Sequence, residues 1–209
     1  MTHTLHRSGR PDSLRGDFVV FTMSAKQVNA QGSAEKMRRF IEIVEKHGPV
    51  NCGDMKTGNV LNIGRDEIFD NVRDTSIVHF VFTDLTQVTE VLQELKEADL
   101  GTSVVVSGLV DEIGRACREV GLEMHTLEFS GGIHGRIERL PAQPVLAVTT
   151  MCGHGMVARG LVRSLAAKVK RGKLSLSQAA LELARPCQCG VFNPRRAEEL
   201  IQEVIDSEA

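Results

Sequence analysis

The sequence has no tryptophan and no tyrosine, and eight phenylalanines supply all of its benzene-type rings. That shortage excludes the aromatic platform on which single-stranded nucleic acid stacks. The near-balanced charge, a formal net of -2, excludes binding of phosphate backbones by bulk electrostatics. No apolar run approaches the ~20 residues that a spanning helix requires. The first residues are polar, carry Arg7, Arg10 and Arg15, and lack the apolar stretch of a signal peptide or anchor. A cytoplasmic protein with no nucleic-acid and no membrane partner is therefore expected. Internal repeats and low-complexity segments are missing as well.

What is present is a chain of 209 residues with 42% hydrophobic content, enough for one sizeable core with an appendage. Residues 1–16 read as a flexible leader punctuated by Pro11 and Gly16. Residues 17–144 read as an α/β domain. Short apolar runs at 18–21, 60–63, 77–82, 103–106 and 124–129 are expected as strands, those at 77–82 and 103–106 buried. Helices are expected at 33–47, 65–72, 84–96 and 111–120, where apolar residues recur at helical spacing behind caps such as Ser33 and Asp84. Strand, helix, strand, strand, helix, strand fits a ferredoxin-like unit, and a doubly wound sheet is the competing topology. Pattern alone does not separate them.

Residues 145–209 are expected to form a C-terminal helical lobe. Its first residues, 145–149, read as a short strand or connector, followed by a helix at 157–170. Ser175 and Gln178 form a capping box for a helix ending at Ala184, and Pro186 stops it. Asn193 as N-cap with Pro194 at the first helical position begins the last helix, with Ala197, Leu200, Ile201 and Val204 on one face.

Five cysteines, an odd number for a reducing compartment, argue against a disulfide framework and toward metal binding or catalysis. Cys152, in Met151-Cys152-Gly153-His154-Gly155, and Cys187 and Cys189, in Arg185-Pro186-Cys187-Gln188-Cys189-Gly190, lie in turn-forming sequence, where thiolates are expected to be exposed near helix starts. A helix dipole would lower the pKa of Cys152. Cys187 and Cys189 flank a single residue, so both sulfurs point the same way in extended chain. Cys52 is a further candidate ligand, while Cys117, inside a helical segment, is assigned to packing. The spacing is neither that of a zinc finger or ribbon nor that of a ferredoxin run. It is closest in character to an iron-sulfur cluster held by cysteines scattered over loops, with one iron open, and zinc is the alternative. His154 is read as a further ligand or as the acid-base partner of Cys152. His79 and His125 are read as ordinary strand residues.

Arg195 and Arg196, in the first turn of the last helix, are expected to steer an anionic substrate, aided by His134 and Arg136 in a glycine-rich turn. The segment Met151-Cys152-Gly153-His154-Gly155 resembles the surroundings of one catalytic cysteine in the proline racemase and hydroxyproline epimerase family. In that family two cysteines act as base and acid across a substrate carbon, without a cofactor. The second cysteine motif of that family, of Cys-Gly-Thr-Gly type, has no counterpart here, so no membership follows. The expected function is an iron-sulfur or single-metal enzyme, a lyase acting on a small anionic substrate. Metal-free thiol chemistry, as racemisation or sulfur transfer through Cys152 and His154, is one alternative; a non-catalytic zinc-binding or metal-carrier protein is the other. A homo-oligomer fits each of them.

Overall fold

A computed structural model describes residues 3–207. Five strands form one sheet: β1 (Phe18–Met23), β2 (Asn51–Asp54), β3 (Gly58–Asn59), β4 (Val78–Phe82) and β5 (Ser103–Ser107), in the order β3-β2-β4-β1-β5. Every neighbouring pair is antiparallel. Helices α1 (Pro11–Leu14), α2 (Ser33–Glu45), α3 (Val60–Ile63), α4 (Arg65–Asp70), α5 (Leu85–Ala98) and α6 (Val110–Glu119) precede a C-terminal group of α7 (Gln143–Thr150), α8 (Arg159–Lys170), α9 (Leu176–Ala184) and α10 (Pro194–Ser207).

The chain leaves β1, passes through α2 and returns as β2 in the same direction, with β4 between the two strands. It then leaves β4, passes through α5 and returns as β5, with β1 between. Two interleaved split β-α-β units make an α+β fold with the ferredoxin-like strand order. The doubly wound alternative is overturned, because it demands a mostly parallel sheet.

Side-chain alternation divides the core by face. Phe18, Val20, Cys52, Val78, Phe80 and Phe82 pack with α2, α4, α5 and α6. Val19, Phe21 and Val81 point the other way and pack against α7 to α10. Both faces of the sheet are therefore covered, which explains strands that are apolar at consecutive positions and not only at alternate ones. Each fully buried Phe, Val or Leu contributes roughly 1.5–3 kcal/mol of transfer free energy. Two of the expected caps are in place: the Asp84 carboxylate accepts from Thr86 N at 2.8 Å, and Ser175 and Gln178 close a capping box; Ser33 is instead the first residue of α2, and the Asp74 carboxylate accepts from Gly32 N at 2.9 Å and Ala34 N at 2.8 Å in its place. No helix among the described residues is long and apolar enough to cross a membrane.

Four local expectations are corrected. Residues 145–149 are helical, since Pro144 sits at the start of α7 and turns Val145 and Val148 into the lobe's core. Residues 60–63 form α3, because the Asn59 side chain accepts from Leu61 N at 3.0 Å and nucleates a helical turn. Residues 124–129 pair with no strand and leave Leu127 and Phe129 exposed. Strand β5 is an edge strand and only half-buried.

The leader is also anchored where flexibility was expected. His3 and Thr4 are buried, and Ser8 N donates to Thr150 Oγ1 at 2.9 Å. The Arg7 guanidinium pairs with Asp17 and donates to the carbonyls of Val191 and, at 3.3 Å, Met151.

A candidate metal centre

The site lies where the lobe meets the sheet. After α9, Cys187 N donates to Ala184 O and Gly190 N to Cys187 O, each at 3.0 Å, so residues 187–190 form a tight turn. Gly190 has φ +70°, and a Cβ there would overlap the Cys52 carbonyl and Gly53 N. Glycine thus permits this turn to lie directly on β2. Two asparagines fasten it. Asn51 Nδ2 donates to Phe192 O at 2.8 Å, and Asn59 Nδ2 donates to the carbonyls of Arg185 and Cys187 at 2.9 Å.

The second turn follows the C-terminus of α7 and carries Cys152. Gly153 has φ +72°, and a Cβ there would overlap the His3 carbonyl, so the leader lies directly on this turn. His154 is exposed, and its Nδ1 is 3.6 Å from Cys189 Sγ.

Cys152, Cys187 and Cys189 are all buried, at 0%, 0% and 1% exposure, so the turns enclose the sulfurs that were expected to be exposed. The thiols interact in series. The neighbouring Cys187 thiol, together with burial, raises the Cys152 pKa far above the usual thiol range. Cys152 lies just beyond the C-terminus of α7 and well ahead of the α8 N-terminus at Arg159, so the dipole expected to lower it is not at its sulfur. The Cys152 thiol favours the Cys187 thiolate, but the Cys189 thiol and burial outweigh it and push Cys187 up to about 12. The neighbouring Cys187 thiol holds Cys189 below the ordinary thiol value. It is the most acidic of the three.

Nearby peptide N–H groups favour the thiolate forms: those of His154 and Met156 for Cys152, of Phe192 for Cys187, and of Val191 for Cys189. Peptide N–H groups directed at sulfur stabilise negative sulfur, the state that a metal ion requires.

Two histidines passed over in the sequence belong to the same place. The His3 ring stacks on His154, centroids 4.5 Å apart, and meets His79 edge-on at 5.3 Å. Ligand atoms of His3, His154 and Cys189 all lie within 4.8 Å of one another. His79 is fully buried, neither of its ring nitrogens has a hydrogen-bond partner, and His3 Nε2 is likewise unpartnered. Burial first, then Arg7, lowers the His3 pKa to about 4; burial first, then His3, lowers that of His79 to about 3. The Gly53 backbone favours the charged form of His79 without meeting hydrogen-bond geometry. Both imidazoles are neutral at pH 7, the form that binds metals.

The other predicted residues are not gathered here. Cys52 sits on the opposite side of the sheet from Gly53, among the residues packed on α2 and α4, and burial raises its thiol to about 11. Arg196 is buried and structural: it pairs with Asp17 at 2.8 Å and donates to Ser8 O and Ser13 Oγ. Arg195 is exposed beside Glu198. His134 and Arg136 lie on the exposed 121–142 excursion, where His134 Nε2 contacts Gly131 O at 3.0 Å. Cys117 is half-buried against the α5 and α6 side of the core. Compared with known protein families, curated proteins and solved structures, the chain matches none.

Proposed function

We propose that the protein is a cytoplasmic metalloprotein whose functional group is a metal-thiolate centre on Cys152, Cys187 and Cys189, with His154 beside it. The observation that carries this reading is the burial of three cysteines on two turns whose peptide N–H groups favour the thiolate forms, the last of them placed with its sulfur and ligand atoms of His3 and His154 all within 4.8 Å of one another. Neutral buried thiols gain little from such amides, whereas thiolates bound to a cation gain much. An iron-sulfur cluster and a single zinc ion both use this donor chemistry. Five free cysteines fit a reducing compartment.

An ion held by three thiolates with a fourth position free acts as a Lewis acid, which is the chemistry of a lyase-type elimination on a small oxygen-bearing substrate. Anion steering by arginine is not supported, because Arg196 is committed to Asp17. Metal-free thiol catalysis is the less favoured reading, since the raised pKa of Cys152 is the reverse of what a thiol base needs.

The test is metal and acid-labile sulfide content, with a visible spectrum, on protein purified without oxygen or chelator. Stoichiometric metal that disappears in Cys187→Ser supports the proposal. Metal-free protein whose buried thiols react freely with a thiol reagent after mild opening overturns it.

A further inference from the structure

Among the described residues, one group of three histidine, cysteine or acidic side chains brings a ligand atom from each to within 4.8 Å of the others: His3, His154 and Cys189. Three segments far apart in sequence supply them. His3 comes from the leader, which Arg7 and Ser8 hold against Asp17 and Thr150. His154 comes from the turn after α7, where Gly153 leaves room for the His3 carbonyl. Cys189 comes from the turn after α9, which rests on β2 through Gly190. The approach is close: His154 Nδ1 stands 3.6 Å from Cys189 Sγ, and the His154 ring stacks on His3 with centroids 4.5 Å apart.

Two observations point to a ligand at this group. His3 is 8% exposed, yet its buried Nε2 has no hydrogen-bond partner among the described residues. Buried polar atoms almost always have one, so this nitrogen is left for something the chain does not supply. The second observation is exposure. His154 is open to solvent while His3 and Cys189 are buried, so the group borders solvent, whereas Cys152 and Cys187 are fully enclosed.

We infer that a single ion of the zinc class binds Cys189, His3 and His154, with its fourth position open to a small molecule from solvent. The inference rests on the metal-thiolate reading and narrows it: Cys189 is the thiolate that meets the ion, and Cys152 and Cys187 brace the turns that carry His154 and Cys189. One thiolate and two imidazoles suit a tetrahedral zinc ion, and three protein ligands leave the fourth position to water or substrate, as in catalytic zinc sites. An imidazole lone pair lies in the plane of its ring, so two stacked rings meet one ion only after one of them turns. His154 has the room to do so, because it is exposed and nothing lies within 4 Å of a Cβ built at Gly155 beside it. Binding therefore opens the stack of His3 on His154.

The test is zinc binding to the full chain, freed of metal under reducing conditions, read by competition with a chromophoric chelator and by X-ray absorption at the zinc edge. One ion per chain is expected, with light atoms at about 2.0–2.1 Å outnumbering sulfur at about 2.3 Å. Cys189→Ser should remove the sulfur shell. His3→Ala and His154→Ala should each weaken binding at least about a hundredfold, since even the outer partners of metal ligands contribute about 10–100-fold. His154 is exposed, so its variant decides the matter should His3→Ala unfold. A sulfur-dominated shell with affinity unchanged in His154→Ala overturns the histidine assignment and leaves the metal-thiolate reading standing. No stoichiometric zinc in the parent overturns both.

Discussion

Arg196 and Asp17 meet in the interior, Nη1 to Oδ2 at 2.8 Å, with side chains 1% and 0% exposed. The other oxygen of the same carboxylate binds Arg7, and Asn193 Nδ2 adds a contact at 3.1 Å. One carboxylate thus joins the leader, β1 and the start of α10. Asp17→Asn would remove the charge that compensates two guanidiniums, and removing one partner from a buried pair costs about 3–5 kcal/mol. Urea unfolding is expected to show a loss of that size, with the midpoint lowered and the slope unchanged.

Gly153 and Gly155 have the same left-handed backbone but different surroundings. A Cβ at Gly153 would overlap the His3 carbonyl, whereas at Gly155 nothing lies within 4 Å. Gly155→Ala should cost only the backbone strain, about 1–2 kcal/mol. Gly153→Ala should also displace the leader, which limited proteolysis reads as cleavage near Arg7 and Arg10 that the parent and Gly155→Ala resist.

Cys52 tests the parity of β2. Its side chain faces α2 and α4, and Gly53 faces the cysteine turn. Cys52→Ala is expected to lower stability by about 1 kcal/mol, as a small core truncation does, and to leave metal content unchanged. Cys187→Ala should lower metal content. Equal metal loss in both variants would contradict the assignment of faces.

The metal-free protein should weaken in mild acid. Burial, then Arg7, holds His3 at about 4, and burial, then His3, holds His79 at about 3, against 6.5 in the unfolded chain. Between 6.5 and those values the unfolded chain binds more protons, so stability falls as pH falls through that window and is steady above it. Urea midpoints measured from pH 7 to pH 4 should decline, and His79→Phe should flatten the decline.

Much of this architecture was legible in the sequence. Helix α2 follows from its spacing, α5 and α9 from spacing and caps at Asp84 and Ser175, and β1 and β4 from apolar runs between turns. What pattern could not supply was partnership. Val145 and Val148 suit a strand or a helix equally, and the choice fell to Pro144 and to the core they enter. The three clustered cysteines were recognisable because turn residues flank them. His79 was not, because a histidine inside an apolar strand carries no mark of its role until the sheet order shows which layer its face meets. His3 was hidden for another reason: a polar leader gives no periodic signal, and its anchors, Asp17, Thr150 and Val191, are distant in sequence. Asn51 and Asn59, which fasten the cysteine turn, looked only like turn formers.

The inferred donors are divided between the beginning and the end of the chain, His3 at one side and Cys189 at the other. During synthesis at about 5–20 residues per second, on the order of ten to forty seconds pass between the two leaving the ribosome's catalytic centre. Throughout that interval β1 and β4 lack the layer that covers Phe21, His79 and Val81. Loading of the proposed centre would therefore be a late event in the life of each molecule. The nascent chain has to keep one sheet face from sticking to its neighbours until its last helix arrives.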